Sequence, residues 1–249
     1  MKIRRYLMLV AACTFFLGKS FAANNEKPFV IPELQEWRGA QGMFTPSATS
    51  RIVWLGKDSA VARVANQFAE DYETMFGRKL TVVHGRASAG DFVFSLSGDR
   101  QLGEEGYAVR IADRVSISAP KAKGLYWATR TILQMTEQNS DQALPKGAVR
   151  DYPDYAIRGF MMDCGRKFIP MDFLRDYVKM MAYYKMNTFQ VHLNDNAFKQ
   201  YYEHDWNKTY SAFRLECETY PGLTARDGYY TKKEFIALQE LADSLGVEI

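Results

Sequence analysis

Residues 155–196 read YAIRGFMMDCGRKFIPMDFLRDYVKMMAYYKMNTFQVHLNDN, and the architecture of the chain turns on this stretch. Two short apolar runs flank one amphipathic segment, and each run ends in polar residues. The first run, 157–162, stops at Asp163, Gly165 and Arg166; the second, 187–193, stops at Asn194, Asp195 and Asn196. Between them, residues 171–185 place Phe173, Leu174, Tyr177, Val178, Met181 and Tyr184 at helical spacing. That spacing predicts one apolar helix face, and Pro170 suits the start of such a helix. Strand, helix, strand with polar residues at both strand ends is a βα unit of a parallel sheet or barrel. In such folds ligands gather at the carboxyl ends of the strands.

Upstream, residues 51–138 carry the pattern of a small α/β domain. Short strands are expected at 52–55, 80–83 and 92–96, and a hairpin at 107–118 turning at Ala112-Asp113. Asp58 or Ser59 caps a helix with Val61, Val64, Ala65, Phe68, Tyr72 and Met75 on one face, closed by Gly77. A second helix from about Lys121 has Leu125, Ala128, Ile132 and Met135 as its stripe. Residues 24–50, with Pro28, Pro32 and Pro46, read as an irregular lead-in, and 139–153 as a polar connector between domains.

Downstream, 194–230 shows little periodicity and is rich in Phe198, Tyr201, Tyr202, Trp206, Tyr210, Phe213 and Tyr220. A loop of this length that leaves the carboxyl end of a strand would cover the site face. Thr231 and Glu234 then form a capping box for a helix burying Phe235, Leu238, Leu241, Ala242 and Leu245. Residues 247–249 begin another strand. Three parallel strands cannot close a barrel, so the expected fold is a small α/β domain (28–150) followed by the first part of a (β/α)8 barrel (154–249), with further strands beyond Ile249.

The chain of 249 residues is 47% hydrophobic and 24% charged, an ordinary globular balance. Lys2, Arg4 and Arg5 precede an apolar stretch, and Ser20-Phe21-Ala22 offers a cleavage point, so 1–22 read as a secretory signal peptide and the protein as exported, periplasmic or extracellular. Val10-Ala11-Ala12-Cys13 also resembles a lipobox, which makes Cys13 a possible lipid anchor. No apolar run is long enough for a membrane span. Cleavage after Ala22 removes four of the 32 basic residues, leaving 28 against 29 acidic ones. The apparent basicity belongs to the leader, and no nucleic-acid partner is indicated. Cys164 and Cys217 lack metal-ligand spacing and read as buried free thiols, with a Cys164–Cys217 bridge as the alternative in an oxidising compartment, and nothing calls for a metal or an organic cofactor. His84 stands alone and reads as a surface or packing residue.

Asp163, Arg166, His192 and Asp195 stand where barrel chemistry occurs. An arginine among carboxylates suits sugar hydroxyls, because its planar fork donates paired hydrogen bonds and carboxylates accept them. Aromatic faces nearby can stack on a pyranose ring. The same Asp–Arg pairing also serves as a purely structural ion pair. His192 and Asp195 are an odd number of residues apart, which sends them to opposite sides while a strand lasts. Glu203, Glu216 and Asp227 read as solvated loop charges, and the loop aromatics fit packing as well as binding.

These residues carry a resemblance. RGFMMDCGRKFIP (158–170), KMNTFQVHLNDN (185–196) and FRLECETYPGLT (213–224) occur in that order and resemble the family 20 glycoside hydrolases, the β-N-acetylhexosaminidases. EEGYAVRI (104–111) and KGLYWATRTILQM (123–135) resemble the end of the small α/β domain that precedes their barrel. The resemblance implies removal of terminal β-linked N-acetylglucosamine or N-acetylgalactosamine from a glycan with retention, the substrate's own acetamido oxygen acting as nucleophile. It implies an Asp–Glu pair as the catalytic machinery, on a strand beyond Ile249, so that no catalytic residue lies in this chain. By the same matching Arg166 holds sugar hydroxyls, Asp195 supports the site, and Asp163 and His192 match motif positions. Two departures stand out: Asp195-Asn196 where many members have Asp-Asp, and Ala197-Phe198 where many have Gly-Trp. The alternative is a non-catalytic carbohydrate-binding or scaffolding protein of the same fold.

Overall fold

The computed structural model describes residues 24–249, so the leader expected at 1–22 and the anchor at Cys13 lie outside the described residues. The first part is a seven-stranded mixed sheet. Its strands are β1 (Glu36–Phe44), β2 (Arg51–Trp54), β3 (Thr81–His84), β4 (Phe92–Leu96), β5 (Tyr107–Ile111), β6 (Val115–Ala119) and β7 (Leu144–Asp151), in the order β1-β7-β5-β6-β4-β2-β3. Two helices pack on it, α1 (Ser59–Phe76) and α2 (Ala122–Glu137). Asp58 caps α1 by accepting from the Ala60 N–H, and Gly77 ends it at φ +66°, a left-handed conformation that glycine adopts without a Cβ penalty. His84 packs on Trp54 with ring centroids 4.0 Å apart.

Two expectations fail here. Residues 24–50 contain the edge strand β1, and 139–153 contain β7, which lies between β1 and β5. β1 is largely exposed on both faces and is interrupted by a register shift between Gly39 and Met43, so it lacks the alternation that marks a half-buried strand. In β7, Pro145 sits opposite Met43 beside that same irregularity, where a missing N–H is tolerated.

The second part opens with β8 (Gly159–Asp163), α3 (Met171–Tyr183) and β9 (Thr188–His192). β8 and β9 pair in parallel from Gly159 opposite Thr188 to Asp163 opposite His192. A short hairpin of β10 (Asn194–Asn196) and β11 (Ser211–Phe213) follows, then α4 (Lys232–Ser244). The capping box of Thr231 and Glu234 is formed in full. Glu248 bridges to Thr188 in parallel, placing the next strand beside β9. This is the opening of a β/α barrel. In α3 the buried residues are Met171, Leu174, Val178, Met181 and Ala182. Phe173 and Tyr184, expected on that stripe, are exposed, because with Tyr177 and Met180 they form the flank one step around the helix.

The two parts share a seam. α2 is buried from Gly124 to Thr136, polar Thr129, Arg130, Thr131, Gln134 and Thr136 included, because it is covered on more than one side. At its N-terminal end, Gly124 is required: a Cβ there would lie 2.3 Å from the Gly106 carbonyl oxygen. Its Gln134 donates to the Ile31 and Tyr183 carbonyls at 2.9 and 3.2 Å. Just past α3, Lys185 sends its ammonium into the sheet, 2.8 Å from the Tyr107 hydroxyl and 3.1 Å from Asp151. Burial pushes the Lys185 ammonium below its ordinary pKa and is opposed by Asp151, while burial and the same carboxylate push the Tyr107 hydroxyl well up. Beside it, Glu105 accepts from Arg158 and from Asn187 (3.1 Å) and pairs with Lys123 at 2.7 Å.

Truncating one partner of a buried pair strands the other charge. Lys185→Met should therefore lower the unfolding free energy by about 3 kcal/mol. Lys179→Met, which removes an exposed pair with Asp176, should change it by under about 1 kcal/mol. Urea titrations followed by circular dichroism compare the two.

Candidate active site

The carboxyl ends of β8 and β9 are drawn together by main-chain bonds. The N–H groups of Cys164 and Gly165 both donate to the His192 carbonyl, at 3.0 and 2.8 Å. Gly165 fits only without a side chain, since a Cβ would stand 2.8 Å from the Asp195 nitrogen and 2.9 Å from the Asn194 carbonyl carbon. This close approach lets the loop after β8 lie against the hairpin after β9.

On this frame four side chains meet. Arg166 Nη1 donates to Asp163 Oδ2 at 2.7 Å, and its main-chain N–H donates to Asp163 Oδ1 at 3.0 Å. Arg166 Nη2 stands 2.7 Å from Asp195 Oδ2. His192 Nε2 bonds the same oxygen at 2.8 Å, and since an ionised carboxylate can only accept, that nitrogen carries the hydrogen. The separation rule that set His192 and Asp195 apart does not apply, because β9 ends at His192 and the chain turns through Leu193 before β10. The Arg166 guanidinium also stacks on the Phe198 ring, 4.6 Å from its centroid. All four polar side chains keep between a quarter and a third of their surface, so the arginine is clamped yet reachable.

The electrostatics follow from these contacts. Burial pushes Asp163 upward, but the N–H and guanidinium of Arg166 outweigh it and hold the carboxyl below its ordinary range. Asp195 is lowered first by the hydrogen bond from His192, then with help from the Asn196 N–H and Arg166. The hydrogen bond to Asp163 raises Arg166 further.

Beneath the cluster lies a residue that sequence reasoning passed over. Arg214 is 1% exposed, and its Nε and Nη2 donate to the carbonyls of Cys164 and Gly165 at 2.8 and 3.1 Å. Its other bonds go to Asp227 as a two-point fork and to the Gly228 carbonyl. Arg214 thus supports the very turn that presents Arg166. Asp227 is not merely a solvated loop charge, as expected: it is held below its ordinary pKa by Arg214. Glu203 pairs with Lys208 on the surface, and Glu216 accepts from the Lys232 N–H. The motif 213–224 contains Arg214, but nothing in its spacing tells a buried post from a surface charge. Cys164 is buried and Cys217 half-buried, both free thiols. Among the described residues no three His, Cys, Asp or Glu side chains gather as a metal would require, and no helix is long and apolar enough to cross a membrane.

Two family models together span this architecture. Residues 27–152 match glycosyl hydrolase family 20, domain 2, and residues 155–249 match the glycosyl hydrolase family 20 catalytic domain. The chain belongs to glycosyl hydrolase family 20. Among relatives, it is 32% identical over 129 residues to a beta-hexosaminidase of Akkermansia muciniphila, a match covering 51% of this chain and 26% of that protein. It is 35% identical over 124 residues to a beta-N-acetylhexosaminidase of Cellulomonas fimi, covering 48% and 25%. Among solved structures, the family 20 β-N-acetylhexosaminidase of Streptomyces coelicolor matches with a TM-score of 0.75 at 22% identity, over 91% of this chain and 46% of that one. A mutant Streptomyces plicatus β-hexosaminidase in complex with the product GlcNAc matches with a TM-score of 0.76 at 24% identity, over the same shares. The chain thus spans about a quarter of the curated relatives it matches and about half of the solved ones.

Two outcomes test this family 20 site. Gly165→Ala should cost about 1–3 kcal/mol of stability, since the methyl group must displace main chain, read as a lowered urea midpoint. Asp163 and Asp195 have depressed folded pKa values, so their contribution is present above the unfolded value near about 4 and is lost as pH falls through the folded ones. Thermal unfolding between about pH 5 and pH 2 should fall less steeply for Asp163→Asn than for the wild type.

Proposed function

We propose that a protein carrying this chain and a complete barrel is an exo-β-N-acetylhexosaminidase that releases terminal β-linked N-acetylglucosamine or N-acetylgalactosamine with retention. The observation that supports it is the clamp of Arg166 between Asp163 and Asp195 at the carboxyl ends of adjacent parallel strands. A guanidinium bonded on two sides has less freedom to lose when a ligand arrives. About a third of the Arg166 side-chain surface stays exposed, and guanidinium donors suit vicinal hydroxyls of a pyranose. Asp195 in turn is fixed by His192, so the carboxylate keeps one orientation while neighbouring groups exchange protons.

In this reading the bond-breaking groups are an Asp–Glu pair on a later strand, beyond Ile249. The aspartate orients the acetamido group and the glutamate acts as acid and then base. The residues of this chain hold the sugar against that pair. Division of labour between a sheet domain at 28–150 and a barrel domain from 154 belongs to the same proposal. So does export, which rests on the leader-like order of charge and apolarity in 1–22.

With the complete barrel present, Arg166→Ala should reduce kcat/KM on a chromogenic N-acetyl-β-glucosaminide by about a hundredfold or more, with the unfolding midpoint little changed. Unaltered kinetics would remove Arg166 from the site. Saccharide binding without turnover by the wild type would favour a carbohydrate-binding protein of the same fold.

A further inference from the structure

In β5, β6 and β7 the residues Val109, Ile111, Val115, Ile117 and Val149 point into the core with α1 and α2, and their alternates point to the other face of the sheet. Tyr107 and Asp151, which meet Lys185 across the seam, lie on the core side, so the second face looks away from the barrel. Small side chains make its floor: Ala108, Ser116, Ser118 and Ala148. Arg110 stands opposite Ser116 on one side and Ala148 on the other, and Arg38 of β1 stands opposite Ala148 from beyond. The two arginines are thus two strands apart, about 10 Å. Arg114, at the turn into β6, lines with Arg110 and Ser116 an open hollow of about 390 Å³. Asp113 also lines that hollow but is paired with Lys146, and Glu36 and Asp99 are paired with Arg150. Arg38, Arg110 and Arg114 are exposed, and among the described residues none of them has an ion pair or a side-chain hydrogen bond.

We infer that this open sheet face is a second binding surface, separate from the Arg166 site, and that it holds an acidic polysaccharide by its anionic groups. Charge complementarity assigns the occupant. Three unpaired guanidinium groups surround a flat floor, and each offers a fork of donors that matches an oxyanion. Their separation across the strands suits an extended chain that carries charge at intervals, not a single small anion. The hydroxyls of Ser116 and Ser118 lie on the same face and can exchange hydrogen bonds with sugar hydroxyls. Between the charges the floor offers no apolar group larger than Ala108 or Ala148. A membrane surface takes hold through large apolar anchors, and a protein interface through a buried apolar centre. The inference goes beyond the proposed hydrolysis and makes no use of Arg166.

The test uses the protein with its complete barrel and biolayer interferometry on immobilised dextran sulfate and immobilised neutral dextran, at about 0.1 M salt. The wild type should bind the sulfated polymer and not the neutral one. Arg38→Ser/Arg110→Ser/Arg114→Ser should weaken that binding about tenfold or more, with the unfolding midpoint unchanged because all three side chains are exposed. A control variant, Lys57→Ser/Arg63→Ser/Lys233→Ser, removes the same charge from exposed positions elsewhere and should stay within about twofold. No binding by the wild type, equal binding to neutral dextran, or equal losses in the two variants overturns the inference. So does tighter binding to phosphatidylglycerol vesicles that the first variant abolishes, which would make the face a membrane contact. Hydrolysis of a chromogenic N-acetyl-β-glucosaminide should be the same in all three proteins. Binding without hydrolysis would remove the proposed activity and keep the surface, and hydrolysis without binding would do the reverse.

Discussion

A guanidinium held by two carboxylates, one at the end of β8 and one in the hairpin just past β9, is the contact on which this site depends. Arg166 can take both Asp163 and Asp195 because β8 and β9 run parallel and end level, Asp163 opposite His192. Level ends alone would leave the two loops to splay apart. They stay together because Gly165 has no side chain to hold them off and because buried Arg214 bonds the successive carbonyls of Cys164 and Gly165 within the turn. Half-exposed ion pairs contribute little stability by themselves. The clamp's value is positional: it fixes an arginine's donors before a ligand arrives.

The seam with the sheet works in the opposite regime. Lys185 and Asp151 are almost without solvent, and their desolvation is offset only because Tyr107 and Thr131 complete the network. Such a network is intolerant of partial removal, which makes it a specific joint. Arg158 and Asn187, at the start of β8 and β9, reach Glu105 from the same side. The amino ends of these strands are therefore tied to the sheet, and their carboxyl ends are free to carry the polar cluster.

The hairpin beyond β9 adds a third element. Phe198, Tyr201 and Trp206 are exposed, not core: Phe198 meets Arg166 and the Tyr201 ring, and Trp206 meets Lys199. The pair Ala197-Phe198 thus sits where the clamp meets the exposed hairpin loop, with the Phe198 ring 4.6 Å from the guanidinium.

Periodicity and local chemistry determined much of this protein. The stripe of α3, the caps at Asp58, Gly77 and Thr231, the paired apolar runs with polar ends, and the grouping of Asp163, Arg166, His192 and Asp195 at those ends all follow from spacing within a few residues of chain. Strands β1 and β7 did not, because an exposed edge strand and a strand carrying Pro145 at an irregularity lack the alternation that burial imposes. Tertiary structure alone decided three matters. His192 and Asp195 share a hydrogen bond because the strand stops between them; Arg214 is a buried post because four carbonyl and carboxylate partners converge on it from distant residues. Phe173 is exposed while Leu174 is buried, although both are apolar and adjacent. In each case the outcome hangs on which distant group arrives, and a linear pattern records only what neighbours along the chain can do.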